Sequence, residues 1–377
     1  MSFFKKAISA VLAVSMILTV GLTGCSDSED GGASTAKAGS TTAAKSSESG
    51  SKKNLNVAIL LNGTLGDKAF FDSANDGAKM MQSKLGCTTK VVEMTADETK
   101  WLPALTDAAE NPDYDIIIVG TWQMTEKLAK IAAQHPDKKF IIFDSSVDYT
   151  GGKCPNVYSI EYKQNECAYL AGVVGALSTK TGKIGFIGGM ENTVINDFLI
   201  GYIQGAKAAN PNIKVLTSYV GNFTDTAKAK ELTFAQINQG ADIVFQCAST
   251  AGLGVIDGCA EKGKFAIGVD SDQAEALKAS EPAKAKCILT SAMKRVDQSI
   301  FQAVQNAQKG SLSYGKSVSL GLAEDCVGLG QFSTSVSADV QKKAEEYANK
   351  IKSGNIKVDT AFGKTADQIK KIKDSVK

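Results

Sequence analysis

Residues 264–272, with the sequence KFAIGVDSD, contain the feature from which the rest of the chain can be interpreted. An apolar run follows the predicted helix end at Lys262 and Gly263, and it stops at two carboxylates, Asp270 and Asp272. This pattern predicts a helix, a tight turn and a buried strand with acids at its carboxyl end. Ligands of open α/β sheets bind just outside the carboxyl ends of strands. Asp270 is therefore a candidate ligand-binding residue, and the alternative is that it only caps the next helix.

The same alternation of apolar strands and helices recurs from Leu55 onward. Strands are predicted at residues 56–61, 89–94, 115–120, 139–144, 157–162, 183–189, 215–220, 242–247, 265–270 and 287–292. Helical patterns between these strands imply parallel sheets with right-handed crossovers. One large sheet is possible, but two sheets fit the length of the chain better.

The predicted architecture is an α/β fold with two doubly wound parallel-sheet lobes that close around a hinge formed by residues near 178–182 and by the later crossings of the chain between the lobes. Lobe 1 is expected to comprise residues 54–178 and about 292–315. Lobe 2 is expected to comprise residues 179–291 and about 316–377, including a strand at 317–322 and a helix at 340–352. Two such lobes predict a ligand cleft between the strand ends of the two sheets.

The beginning of the chain has the pattern of an export signal. Lys5 and Lys6 precede an apolar core and the sequence LTGC at residues 22–25, which predicts a signal peptide over residues 1–24. The LTGC sequence resembles the lipobox of bacterial lipoproteins, in which the cysteine is acylated, and the alternative is an ordinary signal with an incidental Cys25. Residues 25–53, rich in Ser, Gly and Thr, are then the lipidated cysteine and a flexible tether. We expect a lipid-anchored protein on the extracytoplasmic face of a bacterial cell membrane.

Composition argues against several classes of function. The net charge is only +2, with 42 basic and 40 acidic residues, so no nucleic-acid partner is expected. The single histidine and the lack of nucleophile-elbow, P-loop and dinucleotide-binding motifs argue against an enzyme, a metal site or a cofactor. Seven cysteines after Cys25 have no C-x-x-C spacing, and we interpret them as buried thiols.

Polar and aromatic side chains recur where the predicted strands end. The candidates from this pattern are Asn62 with Phe70, Trp122, Asp144, Phe245 and Asp270. Carboxylates suit vicinal hydroxyls, as an acidic residue does on a ribose, and aromatic rings suit a planar base or the apolar face of a sugar. The alternative is that Phe245 belongs to the core and Trp122 only fills a loop.

An ordered set of short motifs supports a family resemblance. These motifs are GDKAF at 66–70, GGM at 188–190, YVGNF at 219–223, GVDSDQ at 268–273 and TSAMKR at 290–295. The set resembles the basic membrane protein family, whose members are substrate-binding lipoproteins of nucleoside ABC transporters. The resemblance spans about residues 55–352, and GKIGFIGGM at 182–190 is its most specific stretch.

The resemblance implies a type I periplasmic-binding-protein fold and a purine nucleoside ligand. It implies that Phe70 stacks on the base and that Asp144, Asp270 and Lys294 bind the ribose. Asp67, in the same motif as Phe70, joins the candidate ligand-binding residues.

The second stacking ring is Phe245 or Phe223. Asn62 departs from the aspartate that is common in the family, in a loop one residue shorter, and Trp122 replaces a smaller residue. An amide at Asn62 keeps an acceptor, adds donors and removes a charge.

The function that follows is capture of a nucleoside by a monomeric lipoprotein that passes it to ABC permease subunits. The alternatives are a binding protein for another small polar ligand, such as a sugar or a signalling metabolite, and a sensor that docks on a membrane receptor.

Overall fold

Two six-stranded sheets form the framework of residues 54–377, which are the residues that the computed structural model describes. The predicted signal peptide over residues 1–24 and the lipidated Cys25 with its tether over residues 25–53 lie outside the described residues.

The first part of the chain supplies most of one sheet. Its elements are β1 (Asn56–Leu61), α1 (Phe70–Met80), β2 (Thr88–Glu93), α2 (Trp101–Glu110), β3 (Ile116–Gly120), α3 (Thr125–Gln134), β4 (Lys139–Phe143) and β5 (Val157–Tyr162). The central strands β1 and β3 are apolar on both faces, because helices cover both sides of a parallel sheet. Their parallel register pairs Val57 with Ile116 and Leu60 with Val119.

The middle of the chain repeats this pattern in a second sheet. Its elements are α4 (Gln164–Ser178), β6 (Lys183–Gly188), α5 (Thr193–Ala209), β7 (Lys214–Tyr219), α6 (Thr226–Asn238), β8 (Ile243–Cys247), α7 (Gly252–Glu261), β9 (Phe265–Asp270), α8 (Gln273–Lys278), α9 (Pro282–Cys287) and β10 (Ile288–Lys294). The last part contains α10 (Val296–Gln308), β11 (Lys316–Leu320), β12 (Val327–Leu329), α11 (Ala338–Lys352) and α12 (Ala366–Asp374).

The two sheets arrange their strands in the same order. Their strand orders are β2-β1-β3-β4-β5-β11 and β7-β6-β8-β9-β10-β12. All pairings are parallel except that of β12, which runs antiparallel to β10. In each sheet the second and third strands lie on opposite sides of the first, so the strand order reverses there and places a switch point between β1 and β3 and between β6 and β8. The predicted α/β architecture with two parallel sheets is confirmed.

Helix α4 belongs to the second lobe, whereas the sequence predicts residues up to 178 in the first. It packs against α5, β10 and β12. Glycines permit the close approach to α5, since an added Cβ at Gly172 would lie 2.1 Å from the carbonyl oxygen of Tyr202. An added Cβ at Gly205 would lie 1.9 Å from the carbonyl oxygen of Tyr169. The glycines on the facing helices explain this packing, which an apolar pattern alone does not predict.

Strand β11 corrects a second assignment. Residues 316–320 were expected in lobe 2, but β11 pairs in parallel with β5 at the edge of the first sheet. Helix α10 packs on α1 of the first lobe, and after it the Gly315 amide donates to the Val157 carbonyl of β5 at 2.7 Å, just before β11 begins. Lobe 2 receives β12, α11 and α12 instead.

The chain crosses between the lobes at three adjacent points rather than at residues 178–182. The crossings follow β5, β10 and β11, and hydrogen bonds join them. The Lys163 amide donates to the Leu320 carbonyl (2.9 Å), and the Arg295 amide donates to the Cys326 carbonyl (2.9 Å). Residues 179–180 instead bind Asp242 within the second lobe. The first crossing is therefore corrected from residues 178–182 to the residues that follow β5, and it joins the later crossings after β10 and β11.

No helix within residues 54–377 is both long enough and apolar enough to cross a membrane.

Candidate functional site

A cavity of about 440 Å³ lies where the carboxyl ends of both sheets meet. Each sheet contributes residues that follow its parallel strands. Asn62, Trp122 and Asp144 follow β1, β3 and β4, while Asp270 and Lys294 end β9 and β10. This is the position at which doubly wound sheets bind ligands.

Lys294 is the charged centre of the cavity, and only 2% of the residue is exposed. Its Nζ donates to Asp144 Oδ1 at 2.7 Å and lies 3.8 Å from Asp270 Oδ1. The rings of Phe70 and Phe198 lie 4.9 and 5.2 Å from the same nitrogen. Because Asp144 belongs to the first lobe and Lys294 to the second, this ion pair joins the two lobes across the cavity.

Burial and the neighbouring charges together shift the pKa values of these three groups. It raises the pKa of Asp270 to about 7, with Lys294 opposing the rise and Asp144 adding to it. Burial also raises the pKa of Asp144 against the effect of Lys294. For Lys294, burial lowers the pKa, but the charges of Asp144 and Asp270 more than offset it, so the pKa is raised. The lysine is therefore charged at neutral pH, while Asp270 exchanges its proton near neutrality.

The Asp270 carboxylate has acceptor capacity that the protein does not use. Its Oδ1 is buried and accepts no hydrogen bond from residues 54–377. A buried acceptor without a donor is costly, and such groups concentrate at functional sites. A ligand with hydroxyl donors satisfies this oxygen, so Asp270 is suited to bind a diol.

Asn62 presents a second acceptor. Its amide nitrogen donates to Thr121 Oγ1 at 2.8 Å and to Gln123 Oε1 at 3.2 Å. The amide oxygen is buried and has no partner among the described residues. Thr121 has a φ of +72°, a strained conformation for a β-branched residue, so Asn62 also stabilises the loop that carries Trp122.

Three of the predicted aromatic residues line the cavity. Phe70 packs against Phe143, with ring centroids 5.4 Å apart. Phe223 lies against Gly189, where an added Cβ would be 2.3 Å from its ring. Trp122 is 45% exposed and lines the cavity at its open side. Rings from both lobes are thus available to contact a planar ligand.

Phe245 is a correction, because the structure places it in the core. It is fully buried in β8, and its ring centroid lies 5.0 Å from that of Tyr202 and 6.2 Å from that of Phe198. It is not among the residues that line the cavity. Phe198, which the sequence analysis missed, occupies the lining position in front of it. Phe198 lies in α5, and the sequence gives no signal for which side of this helix faces the cavity.

Asp67 is also corrected, from a ligand-binding role to a structural one. It is fully buried and accepts hydrogen bonds from the amides of Ala69, Phe71 and Asp72 at 3.1 Å each. Its second oxygen also accepts from Ser249 Oγ of the other lobe at 2.9 Å. Asp67 therefore orders the start of α1, which carries Phe70, and joins the lobes.

The structure also adds polar lining residues that were not among the candidates, and one of them, Asn222, lies inside the YVGNF motif. They are Thr121, Gln123, Asn192, Asn222, Thr224, Ser249 and Thr250. They lie in loops or in single 3-10 turns, where isolated polar residues give no periodic signal. Within residues 54–377, no group of three or more His, Cys, Asp or Glu side chains is placed to hold a metal ion.

Comparison with known families matches nearly the whole described region. Residues 54–361 match the model of the Bmp family, described as ABC transporter substrate-binding protein PnrA-like. The match spans both lobes and all the cavity residues discussed above.

Two relatives are similar to this chain over most of their own length. The CD4+ T-cell-stimulating antigen of Listeria monocytogenes is 33% identical over 322 residues, covering 82% of this chain and 89% of the relative. The ABC transporter nucleoside-binding protein BmpA of Lactococcus lactis subsp. cremoris is 30% identical over 341 residues, covering 86% and 92%.

A solved structure shares the fold. The solute-binding protein of an ABC transporter system from Aeropyrum pernix K1 superposes with a TM-score of 0.74 at 24% identity, covering 85% of this chain and 98% of that one.

Members of the matched family bind substrates for transport and are not enzymes. The chain belongs to the PnrA-like family of ABC transporter substrate-binding proteins.

Proposed function

We propose that the chain captures a nucleoside, preferably a purine nucleoside, between its two lobes and delivers it to ABC permease subunits. The observation that carries the proposal is the buried group of Lys294, Asp144 and Asp270, because one carboxylate oxygen there accepts no hydrogen bond from the described residues. A ribose offers two adjacent hydroxyl donors for such an oxygen. The name of the Lactococcus relative, a nucleoside-binding protein, supports the same ligand class.

The aromatic residues support a planar base beside the sugar. Phe70 of the first lobe and Phe198 of the second both lie close to Lys294, and Phe223 lines the same cavity. Bases stack on aromatic rings with roughly 1–3 kcal/mol of stabilisation per base. The base then lies among these rings, and the amide oxygen of Asn62 accepts a hydrogen bond from it.

Entry of such a ligand requires the lobes to separate. Ser249 Oγ donates to Asp67 at 2.9 Å, and Ser271 Oγ donates to the Ala69 carbonyl at 3.0 Å, so both bonds cross between the lobes. These contacts break when the cleft opens at the crossings after β5, β10 and β11. When the lobes close around the ligand, these two hydrogen bonds form again, and the hydroxyl groups of the ligand are buried beside Asp270.

The test is titration calorimetry of the purified protein with adenosine, guanosine, inosine, cytidine, uridine and a panel of free sugars. Saturable binding of at least one ribonucleoside, tighter for purines and without turnover, is the expected result. Binding of a sugar in the absence of binding to any nucleoside would contradict the proposal.

The proposal includes attachment of the protein to the cell membrane through lipidated Cys25, as a monomer on the extracytoplasmic face. Cys25→Ala should release the protein from washed membranes, while Cys87→Ala, at a buried thiol, should leave it attached. Retention of the Cys25→Ala variant on membranes after high-salt washing would exclude the lipid anchor.

A further inference from the structure

A second cavity of about 310 Å³ adjoins the first. The two cavities share Trp122, Asp144, Asn192 and Val194. The second cavity extends from Asp144 toward the crossing after β5, where Glu161 and Gln164 line it, and toward Phe362 near the C-terminus. It therefore begins at the end of the nucleoside site that contains the ion pair.

The second cavity is lined by two aromatic side chains that are unusually exposed for their size. Trp122 and Phe362 are each 45% exposed, and among the described residues only Leu177 joins them as an exposed large hydrophobic side chain. Trp122 belongs to the first lobe, whereas Phe362 follows α11 of the second. Two exposed rings that line one cavity from opposite lobes favour a bound group with an apolar surface.

The charges of the second cavity favour a neutral or cationic group over an anion. Its ten lining residues include the carboxylates of Asp144 and Glu161 and no lysine or arginine. The start of α5 contributes a partial positive charge, but Asn192 already accepts a hydrogen bond from the third residue of that helix, Ile195. Lys294 pairs with Asp144, whereas Glu161 forms no ion pair within residues 54–377, so its charge disfavours an anion in this cavity.

The chemistry of a nucleoside identifies the part that reaches this cavity. If Asp270 binds the 2′ and 3′ hydroxyls and the base lies among the rings of the first cavity, the 5′ carbon is the remaining end of the sugar. Asp144, beside the ribose and common to both cavities, is where this end passes from one to the other.

We propose that the second cavity binds a neutral or cationic substituent on the 5′ carbon of the nucleoside and excludes a 5′ phosphate. This inference rests on the proposed nucleoside function. It extends the range of ligands from simple nucleosides to nucleosides modified at the 5′ position.

The test compares four ligands with one base: adenosine, 5′-deoxy-5′-methylthioadenosine, 5′-amino-5′-deoxyadenosine and adenosine 5′-monophosphate. The corresponding guanosine compounds form a second series. In the series that the protein prefers, we expect the methylthio and amino compounds to bind within about threefold of the parent nucleoside or more tightly. The monophosphate should bind at least about tenfold more weakly, which corresponds to about 1.4 kcal/mol.

A matched pair of variants localises the effect. Thr193 is the first residue of α5, is exposed and lines only the second cavity. Thr226 is the first residue of α6, is also exposed and lines neither cavity. Thr193→Trp should weaken binding of the methylthio and amino compounds at least about tenfold and leave the parent nucleoside within about twofold. Thr226→Trp should change neither.

A further variant tests the carboxylate of Glu161. Glu161→Gln keeps an acceptor for Ser317 Oγ and should reduce the discrimination against the monophosphate severalfold, with the parent nucleoside unaffected. Unchanged discrimination in Glu161→Gln would overturn the role assigned to this charge.

The outcomes separate the two proposals. Rejection of both 5′-modified compounds by a protein that binds the parent nucleoside would overturn the second cavity's role and leave the nucleoside function intact. The same conclusion follows if Thr193→Trp does not weaken them. Tighter binding of the monophosphate than of the parent would show a phosphate site at the start of α5 instead. Absence of binding to every nucleoside would reject the proposed function itself.

Discussion

Asp144 and Asp270 occupy equivalent positions in the two lobes but have different partners. Each lies at the carboxyl end of the fourth strand of its lobe, and their φ angles are +64° and +63°. Asp144 receives a hydrogen bond from Lys294 at 2.7 Å, whereas Asp270 Oδ1 is 3.8 Å from the same nitrogen and accepts none. One carboxylate thus holds the lysine, and its counterpart remains available to a ligand.

Two acids with the same backbone geometry therefore differ in how many of their acceptor sites the protein itself uses. Positive φ at a non-glycine residue costs of order 1–3 kcal/mol, and both lobes accept that cost at the strand end that faces the cavity. Asp67 shows the contrasting case, because its oxygens accept four hydrogen bonds from the protein. The number of unused acceptor sites, rather than burial or sequence position, distinguishes Asp270.

The largest expected effect is that of removing the shared partner of the two acids. Lys294→Met leaves both carboxylates buried without a counter-ion, which typically costs about 3–5 kcal/mol of unfolding free energy. Denaturant unfolding should show this loss, and nucleoside binding should become undetectable.

Lys284→Met is the matched control. Lys284 also has two acidic partners, Asp257 and Glu281, but its side chain is 31% exposed. Its loss should cost about 0–1 kcal/mol and leave binding intact. Equal losses of stability in the two variants would contradict the importance of the buried ion pair.

The next largest effect is on nucleoside affinity, and it distinguishes Phe198, which lines the cavity, from Phe245, which lies behind it in the core. Phe198→Leu should weaken nucleoside binding by about 1–3 kcal/mol, the usual size of base stacking on an aromatic ring. Phe245→Leu should instead lower the unfolding free energy by about 1 kcal/mol through altered core packing, with affinity almost unchanged. Calorimetric titration and denaturant unfolding of both variants measure the two quantities, and the reverse pattern would restore Phe245 as the stacking residue.

A smaller effect concerns pH. Because the pKa of Asp270 is about 7, a proton competes with the ribose hydroxyls for its oxygens as the pH falls. The association constant should be constant above pH 8 and should decrease below pH 7, approaching about tenfold per pH unit. Calorimetric titration from pH 5 to pH 8.5 measures this dependence.

The control for pH is Asp270→Asn, which should bind weakly with a flat profile. Asp197 titrates in the same range, since burial raises its pKa to about 6, but it binds Gln164 and residues 360–361 rather than lining the cavity. A dependence that persists in Asp270→Asn would assign the titration to Asp197 or another group.

The sequence predicts the strands well because their signal is local. Strands β1, β3 and β9 are short apolar runs between polar turns, and the structure places them within a residue of the predicted bounds. The lobe to which an element belongs, in contrast, is not determined by its local sequence. The assignments of α4 and β11 depended on which neighbour each element packs against, and α4 is apolar on nearly all sides.

The site was partly predictable for a related reason. Phe70, Asp270 and Lys294 lie within recognisable motifs, and Asp144 directly follows a predicted strand. The structure brings these four residues together. Phe245 lies in a strand buried on both faces, where alternation does not indicate which side faces the ligand. The orientation of Phe198 depends on the packing of α4 against α5, which the sequence pattern does not specify.

The most direct test of the account is a double-substitution cycle between Asp270 and the ribose. It uses wild type and Asp270→Ala, each titrated with a ribonucleoside and with its 2′-deoxy counterpart. Wild type should bind the ribonucleoside at least about tenfold more tightly than the deoxynucleoside, since a hydrogen bond to a charged group contributes roughly 1.5–3 kcal/mol. In Asp270→Ala the ratio should approach one, with the ribonucleoside weakened by at least about tenfold. If Asp270→Ala binds the ribonucleoside as tightly as wild type, Asp270 does not bind the ligand and the site assignment fails.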